Sequence, residues 1–134
     1  MTRFPLGLCL SLTLLASAAP AAAHHSFAMF DRDKTVTLAG TVKTFQIMNP
    51  HGWLRILVPD PAGAQDEWSI ELGGPGQARL MGLTETTMHA GDKVTVQVHP
   101  FRDGSYGGQF VSATLPDGRV IGHRTAPGPG PAPA

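Results

Sequence analysis

The sequence predicts a small all-β domain that contains one short helix. Between residues 35 and 124 the apolar residues recur mainly with a period of two, which is typical of half-buried strands rather than of helices. Short combinations of Gly, Pro and Asp interrupt the apolar runs and are typical of turns. One shift of this period, near the start of the domain, indicates that the first strand bends.

The first strand is expected to be long and curved. Its apolar residues form two sets of opposite parity: Val36, Leu38 and Val42, and then Phe45 and Ile47. A shift by one residue in a strand that also contains a glycine, Gly40, predicts a β-bulge and a strong bend.

Further strands and the helix follow in a characteristic order. We expect strands at 53–58, 67–72, 93–99 and 110–115, a closing hairpin strand at 119–121, and the helix at 77–81. Three strands, a short helix and two strands, beginning with a long bulged strand, predict a five- to six-stranded OB-fold-like barrel with the helix between strands three and four. A generic small sandwich or an open meander is the alternative, because strand order alone does not establish barrel closure.

Residues 1–23 are typical of a cleavable signal peptide. Arg3 supplies the positive charge, residues 4–19 form the apolar region, and Ala21 and Ala23 are small residues that suit a signal peptidase. The apolar run is short for a membrane span and no cationic flank follows it. We therefore expect a periplasmic protein that has no membrane anchor after processing.

Charge and cysteine content argue against several classes of protein. Ten Lys and Arg residues balance ten Asp and Glu residues, and loss of Arg3 leaves a net charge of −1. Nucleic-acid binding is not expected, because it draws much of its affinity from a basic surface. The single cysteine, Cys9, is removed with the signal peptide and follows Leu8, which does not fit a lipoprotein signal. Neither a lipid anchor nor a disulfide is expected.

The mature chain is expected to have three parts. A histidine-containing lead covers residues 24–34, the barrel domain covers residues 35–124, and a tail covers residues 125–134. The tail consists almost wholly of Pro, Gly and Ala, a composition that cannot form a packed core, and it is predicted to be disordered.

Several short motifs carry a resemblance to a known family. They are His24-His25-Ser26-Phe27, Asn49-Pro50-His51-Gly52-Trp53 and His99-Pro100-Phe101-Arg102-Asp103-Gly104. Together they resemble an uncharacterised family of small exported proteins from Gram-negative bacteria, a domain of unknown function. The resemblance covers nearly all of the mature chain apart from its tail, and it implies periplasmic export but no particular reaction. At Ile47-Met48 the sequence departs from relatives, which tend to carry a tryptophan there.

Processing would create a candidate metal site at the new N-terminus. Cleavage after Ala23 exposes the amine and imidazole of His24, whereas cleavage after Ala21 gives an N-terminal Ala-Ala-His sequence. Both supply the planar nitrogen donors that Cu(II) and Ni(II) prefer. The predicted copper ligands are His24 together with His25 or His51. The alternative is that the two adjacent histidines are polar residues of a flexible lead.

A second candidate site follows from the predicted fold. In an OB barrel the face of strands two and three, with the loops after strands one and four, is the usual ligand site. His51, Trp53 and Arg55 have the same parity and are expected to project from that face. His99 and Arg102 complete the predicted ligand-binding set from the second loop. In the structural alternative, His51 belongs to a tight turn, Trp53 packs beneath a loop, and His99 only ends a strand.

No catalytic signature is present. Asp103 occupies the position where a nucleophile elbow around Ser105 would need glycine. Glu67 and Glu71 share one strand face and are expected to be solvated. We therefore expect a non-enzymatic binding module for a small ligand, a peptide or another envelope protein. A copper-binding protein is the alternative, and an enzyme ranks third.

Overall fold

A computed structural model describes residues 27–123. Its strands are β1 (Val36–Gln46), β2 (Trp53–Pro59), β3 (Gln65–Glu71), β4 (Lys93–Pro100), β5 (Gly107–Thr114) and β6 (Val120–Gly122). Helix α1 (Pro75–Leu80) lies between β3 and β4, and a 3₁₀ turn at Phe27–Met29 precedes β1. The predicted signal peptide, the predicted tail, His24 and His25 lie outside this range. Neither helical segment within it is long and apolar enough to span a membrane.

The first five strands form a closed barrel. β1 pairs antiparallel with β2 on one side and with β4 on the other. β2 also pairs antiparallel with β3, and β4 also pairs antiparallel with β5. A short parallel pairing of Ser69–Glu71 with Gly107–Gln109 joins β3 to β5 and closes the barrel. β6 pairs with β5 as an extra strand. The predicted OB-fold-like barrel with one helix between strands three and four is confirmed.

β1 pairs with two neighbouring strands because it bends at a bulge. Its first half pairs with β4 and its second half with β2. The register with β2 shifts between Val42 and Thr44, which leaves Lys43 as the extra residue, as the period slip predicted. Gly40 lies where the bend brings β2 close, because a Cβ atom there would lie only 2.6 Å from the Leu57 carbonyl oxygen.

Aliphatic side chains fill the barrel. The largest fully buried ones are Leu54, Ile56, Ile70, Leu72, Leu83, Val42, Val96 and Val98. Full burial of a side chain of this size stabilises a fold by about 1.5–3 kcal/mol. α1 contributes the buried Ala78 to the same core. Because Leu54 and Ile56 point inward, the intervening residues of β2 point outward, and this alternation positions the candidate site.

Some element boundaries differ from the prediction. β5 begins at Gly107 rather than at residue 110, because two glycines that carry no apolar signal take part in barrel closure. α1 begins two residues earlier than expected, at Pro75, whose fixed φ angle suits the first turn of a helix. The 3₁₀ turn at Phe27–Met29 was not predicted.

Barrel closure requires glycine at Gly107 and Gly108. A Cβ atom on Gly107 would lie 2.5 Å from the Ser69 carbonyl oxygen of β3 and would overlap the Phe101 ring. A Cβ atom on Gly108 would overlap the His99 carbonyl group of β4. These neighbours are mainly backbone, which cannot move aside as the end of a flexible side chain can. The three strands can therefore approach only because these positions lack side chains.

The variant Gly108→Ala is expected to lose about 1–3 kcal/mol of unfolding free energy, because the added methyl group must displace the β4 backbone. Gly76→Ala is the matched control, since a Cβ atom at Gly76 meets no atom within 4 Å. That control is expected to be neutral or to gain up to about 1 kcal/mol from helix propensity. Urea unfolding measures both changes. Equal stabilities of the two variants would contradict the closure argument.

Candidate functional site

The predicted ligand residues of strand two lie on one outward surface, which we call the β2–β3 face. Its residues on β2 are Trp53, Arg55 and Leu57, and opposite them on β3 lie Glu71, Ser69 and Glu67. Trp53 is half-buried and Arg55 is exposed, whereas the alternate residues of β2 are buried in the core. The shared outward direction that parity predicted for Trp53 and Arg55 is therefore confirmed.

Two cations converge on one carboxylate of this face. Lys43 Nζ, from the bulge of β1, donates to Glu67 Oε2 at 2.5 Å, and Arg55 Nη1 donates to Glu67 Oε1 at 3.2 Å. The side chains of Lys43 and Arg55 are 50% and 52% exposed. The cluster therefore carries two positive charges and one negative charge at an accessible surface.

The same contacts lower the pKa of Glu67 below its ordinary value of 4.5. The hydrogen bond from Lys43 is the largest cause, followed among the favourable contacts by the hydrogen bond from Arg55. A lowered carboxyl pKa means that these pairs stabilise the fold above pH 4.5 and that this contribution is lost as the pH falls through the lowered value. The carboxyl group of Glu67 is thus ionised at neutral pH.

Glu71 is a buried carboxylate on the same face. Its side chain is only 9% exposed, and its Oε1 lies 3.2 Å from Nδ1 of His51. Trp53 of β2 is its neighbour on one side and Gln109 of β5 is its neighbour on the other. The expectation that Glu71 is solvated is therefore wrong, because these adjacent strands and the His51 loop cover it.

The loop between β1 and β2, residues 47–52, is held against the end of β3. The Gly52 amide donates to the Gly73 carbonyl oxygen at 3.2 Å, and the Leu72 amide donates to the Gly52 carbonyl oxygen at 2.9 Å. The side-chain contact between His51 and Glu71 also holds the loop against β3. The loop contains a cis peptide bond between Asn49 and Pro50. These contacts place His51 against Glu71, the residue of β3 that pairs with Trp53.

The loop after β4, residues 101–106, packs against the chain's own lead. Phe30 is only 2% exposed and stacks on Phe101 with ring centroids 5.3 Å apart. The Arg102 amide donates to the Met29 carbonyl oxygen at 2.9 Å, and the Asp31 amide donates to the Pro100 carbonyl oxygen at 2.8 Å. The packed body therefore includes part of the predicted lead.

His99 and Arg102 hold the same lead segment through their side chains. Arg102 Nε donates to the Ala28 carbonyl oxygen at 3.0 Å, and His99 Nδ1 lies 2.7 Å from the Lys34 carbonyl oxygen. Because a carbonyl oxygen only accepts hydrogen bonds, His99 carries its proton on Nδ1 in this contact. Both predicted ligand residues thus contact the chain's own backbone. We call these contacts, with the Phe30–Phe101 stack, the lead clamp.

An aromatic pair that the sequence did not reveal lies at the seam between β3 and β5. Tyr106 is 54% exposed, and its ring centroid lies 5.5 Å from that of Trp68. The Tyr106 carbonyl oxygen also accepts the Ser69 amide at 3.1 Å. Trp68 packs against the core while half-buried. The two rings lie close together because β3 and β5 pair in parallel, and no local sequence pattern near Tyr106 predicts that pairing.

No group of three or more His, Cys, Asp or Glu side chains suited to hold a metal ion occurs within residues 27–123. His51, which was predicted to complete a copper site, contacts Glu71. The other predicted ligands, His24 and His25, lie outside the described residues. The copper site therefore stays a prediction from the sequence.

Arg102→Gln is expected to loosen the lead while the barrel stays folded, because it removes the donor to the Ala28 carbonyl but leaves the stack of Phe30 on Phe101. In hydrogen exchange, the Asp31 amide should exchange about tenfold faster, since a hydrogen bond from a charged group contributes about 1.5 kcal/mol or more. The control Arg79→Gln removes an exposed arginine of α1 and should leave that rate unchanged. Unaltered Asp31 exchange in Arg102→Gln would contradict a side-chain role in the lead clamp.

Comparison with known proteins supplies the family of this chain. Residues 12–110 match the model of a family of unknown function, DUF6152. A search of curated proteins finds no significant match. Among solved structures, the chain is similar to Rim1, a mitochondrial single-stranded DNA-binding protein of S. cerevisiae, at 15% identity and a TM-score of 0.46, over 62% of this chain and 94% of that one. Because this family model covers most of the sequence, the chain belongs to the DUF6152 family, which is a family of unknown function as the resemblance implied.

Proposed function

We propose that this protein is an exported, non-enzymatic binding module whose β2–β3 face recognises a carboxylate group. The group belongs to a small ligand, a peptide or an acidic segment of another envelope protein. The observation that carries the proposal is the convergence of Lys43 and Arg55 on the single carboxylate of Glu67. Two accessible cations that share one anion leave a local excess of positive charge.

Exchange of the internal carboxylate for an external one requires little energy. Exposed ion pairs of this kind contribute little to stability because solvent screens them, so a ligand carboxylate can replace Glu67 without unfolding the site. The planar guanidinium of Arg55 suits two-point binding of a carboxylate, and Lys43 adds a second cation. The half-buried ring of Trp53 offers an adjacent apolar contact.

Nucleic acid is not the proposed partner. The exported chain has a net charge of −1, and the local excess of positive charge is confined to the cluster of Lys43, Arg55 and Glu67. Phosphate backbones are bound by extended basic surfaces. The copper hypothesis depends on His24 and His25, which lie outside the described residues, so the proposal is built on the barrel face.

A capped tetraglutamate peptide tests the proposed face. Arg55→Gln should weaken its binding about tenfold, because a charge-assisted hydrogen bond is lost, and should change the unfolding free energy by no more than about 0.5 kcal/mol. Glu67→Gln should strengthen binding severalfold, because it removes the internal competitor. Isothermal titration measures the affinities.

Glu85→Gln is the control for Glu67→Gln, since it removes one exposed negative charge outside the face. It should leave the affinity nearly unchanged. If Arg55→Gln binds the peptide as the wild type does, or if Glu85→Gln strengthens binding as much as Glu67→Gln, the proposed face is wrong.

Export predicts a defined mature N-terminus. Small residues before the cleavage site suit a signal peptidase, so protein recovered from the periplasm should begin at His24 or at Ala22. Intact-mass measurement distinguishes these two products. An uncleaved product found only in the membrane fraction would contradict the periplasmic location.

A further inference from the structure

A groove lined by both polar and apolar residues lies on the outer surface of β1, β4 and β5. It is lined by Ala39, Gly40, Thr41, Pro59, Gln65, Lys93, Val94, Thr95, Thr114, Leu115 and Pro116. We call it the Lys93 groove, and it shares no residue with the β2–β3 face. Its volume of about 520 Å³ falls within the range of small-molecule sites.

The bend of β1 shapes this groove. The strand register places Thr41 opposite Lys93 and places Thr95 between Ala39 and Thr114, so their outward side chains form the floor. Ala39 and Gly40 in the first half of β1 have little or no side chain, so they leave the groove open above them. The hairpin between β2 and β3 borders the groove beside β1, and the turn after β5 borders it on the opposite side.

Lys93 is the charged residue of the groove. Its Nζ donates to Thr41 Oγ1 at 2.6 Å. Lys34 and Lys43 form ion pairs with carboxylates, whereas Lys93 forms none within the described part of the chain. An ammonium group has three N–H donors, so the contact with Thr41 leaves two for a ligand.

The acidic residues adjacent in sequence to the lining residues are engaged or directed elsewhere. Asp60 Oδ1 accepts the Ala64 amide at 2.8 Å. Asp92 Oδ2 accepts the His89 amide at 2.8 Å, and Asp117 Oδ2 accepts Arg119 Nε at 2.7 Å. Asp66 follows a lining residue of β3 and therefore faces the opposite side of that strand. The charge of Lys93 is consequently available to an external anion.

We propose that the Lys93 groove binds a small hydroxylated organic anion. Its carboxylate contacts Lys93 Nζ, and its hydroxyl groups contact the side chains of Thr41, Thr95 and Thr114. Threonine hydroxyls both donate and accept hydrogen bonds, which matches the hydroxyl groups of such a ligand. β-Branched threonines also have restricted χ1 angles, so ordering them on binding costs little entropy. This site is independent of the carboxylate-binding face proposed above.

Gluconate is the probe, and two simpler compounds separate its features. Sorbitol has a similar hydroxylated chain without the charge, whereas acetate has the carboxylate without the hydroxyl groups. In amide chemical-shift titrations at constant ionic strength, gluconate should give saturable shifts at Thr41, Lys93, Thr95 and Thr114. Sorbitol and acetate should each bind at least about tenfold more weakly, because each lacks one class of hydrogen bond.

Two variants test the assigned contacts. Lys93→Gln should weaken gluconate binding at least about tenfold, since a charge-assisted hydrogen bond is lost. Thr41→Val keeps the charge and the branched shape but should also weaken binding, because the hydroxyl that positions Nζ is removed. The control Lys34→Gln removes an equal charge outside the groove and should bind gluconate normally. Urea unfolding checks that each variant is folded.

Three results would overturn the proposal. They are the absence of saturable gluconate shifts in the groove, equal binding of sorbitol and gluconate, and equal weakening by Lys34→Gln and Lys93→Gln. None of them bears on the β2–β3 face, whose binding is measured with tetraglutamate and the Arg55→Gln variant. Failure of one site is therefore distinguishable from failure of the other.

Discussion

The close approach of three strands at Gly107 and Gly108 is the constraint on which the rest of the structure depends. Without side chains at these positions, β5 lies directly against the backbones of β3 and β4, and the barrel closes. The same lack of a Cβ atom at Gly107 leaves room for the ring of Phe101, which in turn stacks on Phe30. Barrel closure and docking of the lead thus share one origin. The aromatic pair at the β3–β5 seam also depends on it.

The bend of β1 connects the two proposed binding surfaces. A strand that pairs with β4 in its first half and with β2 in its second half must turn between them, and the extra residue Lys43 lies at that turn. Lys43 reaches Glu67 on the β2–β3 face, while Thr41, two residues earlier, accepts Lys93 Nζ in the groove. The bent strand β1 therefore supplies a cation to one surface and part of the floor to the other.

Local charge, rather than net charge, distinguishes these surfaces. The whole chain is neutral by its formal count, yet Lys43 and Arg55 share one carboxylate. The ammonium group of Lys93 donates to a hydroxyl and forms no ion pair among the described residues. Glu71 shows the opposite case, because its buried carboxylate lies beside His51 and is shielded from solvent. A balanced composition is therefore compatible with two small sites that attract anions.

The sequence by itself determined the order of the strands, the bulge and the presence of one short helix after β3, because alternation of apolar residues, its interruption and a period slip are local signals. It also determined the outward direction of Trp53 and Arg55 through parity. Only the tertiary structure decided that β3 pairs with β5, since Ser69 and Gly107 are far apart in the chain and glycine gives no periodic signal. It likewise decided that Arg102 binds the lead. The Arg102 side chain donates to the backbone carbonyl of Ala28. Because every residue has a backbone carbonyl, the sequence cannot indicate which of them accepts a hydrogen bond from a given side chain.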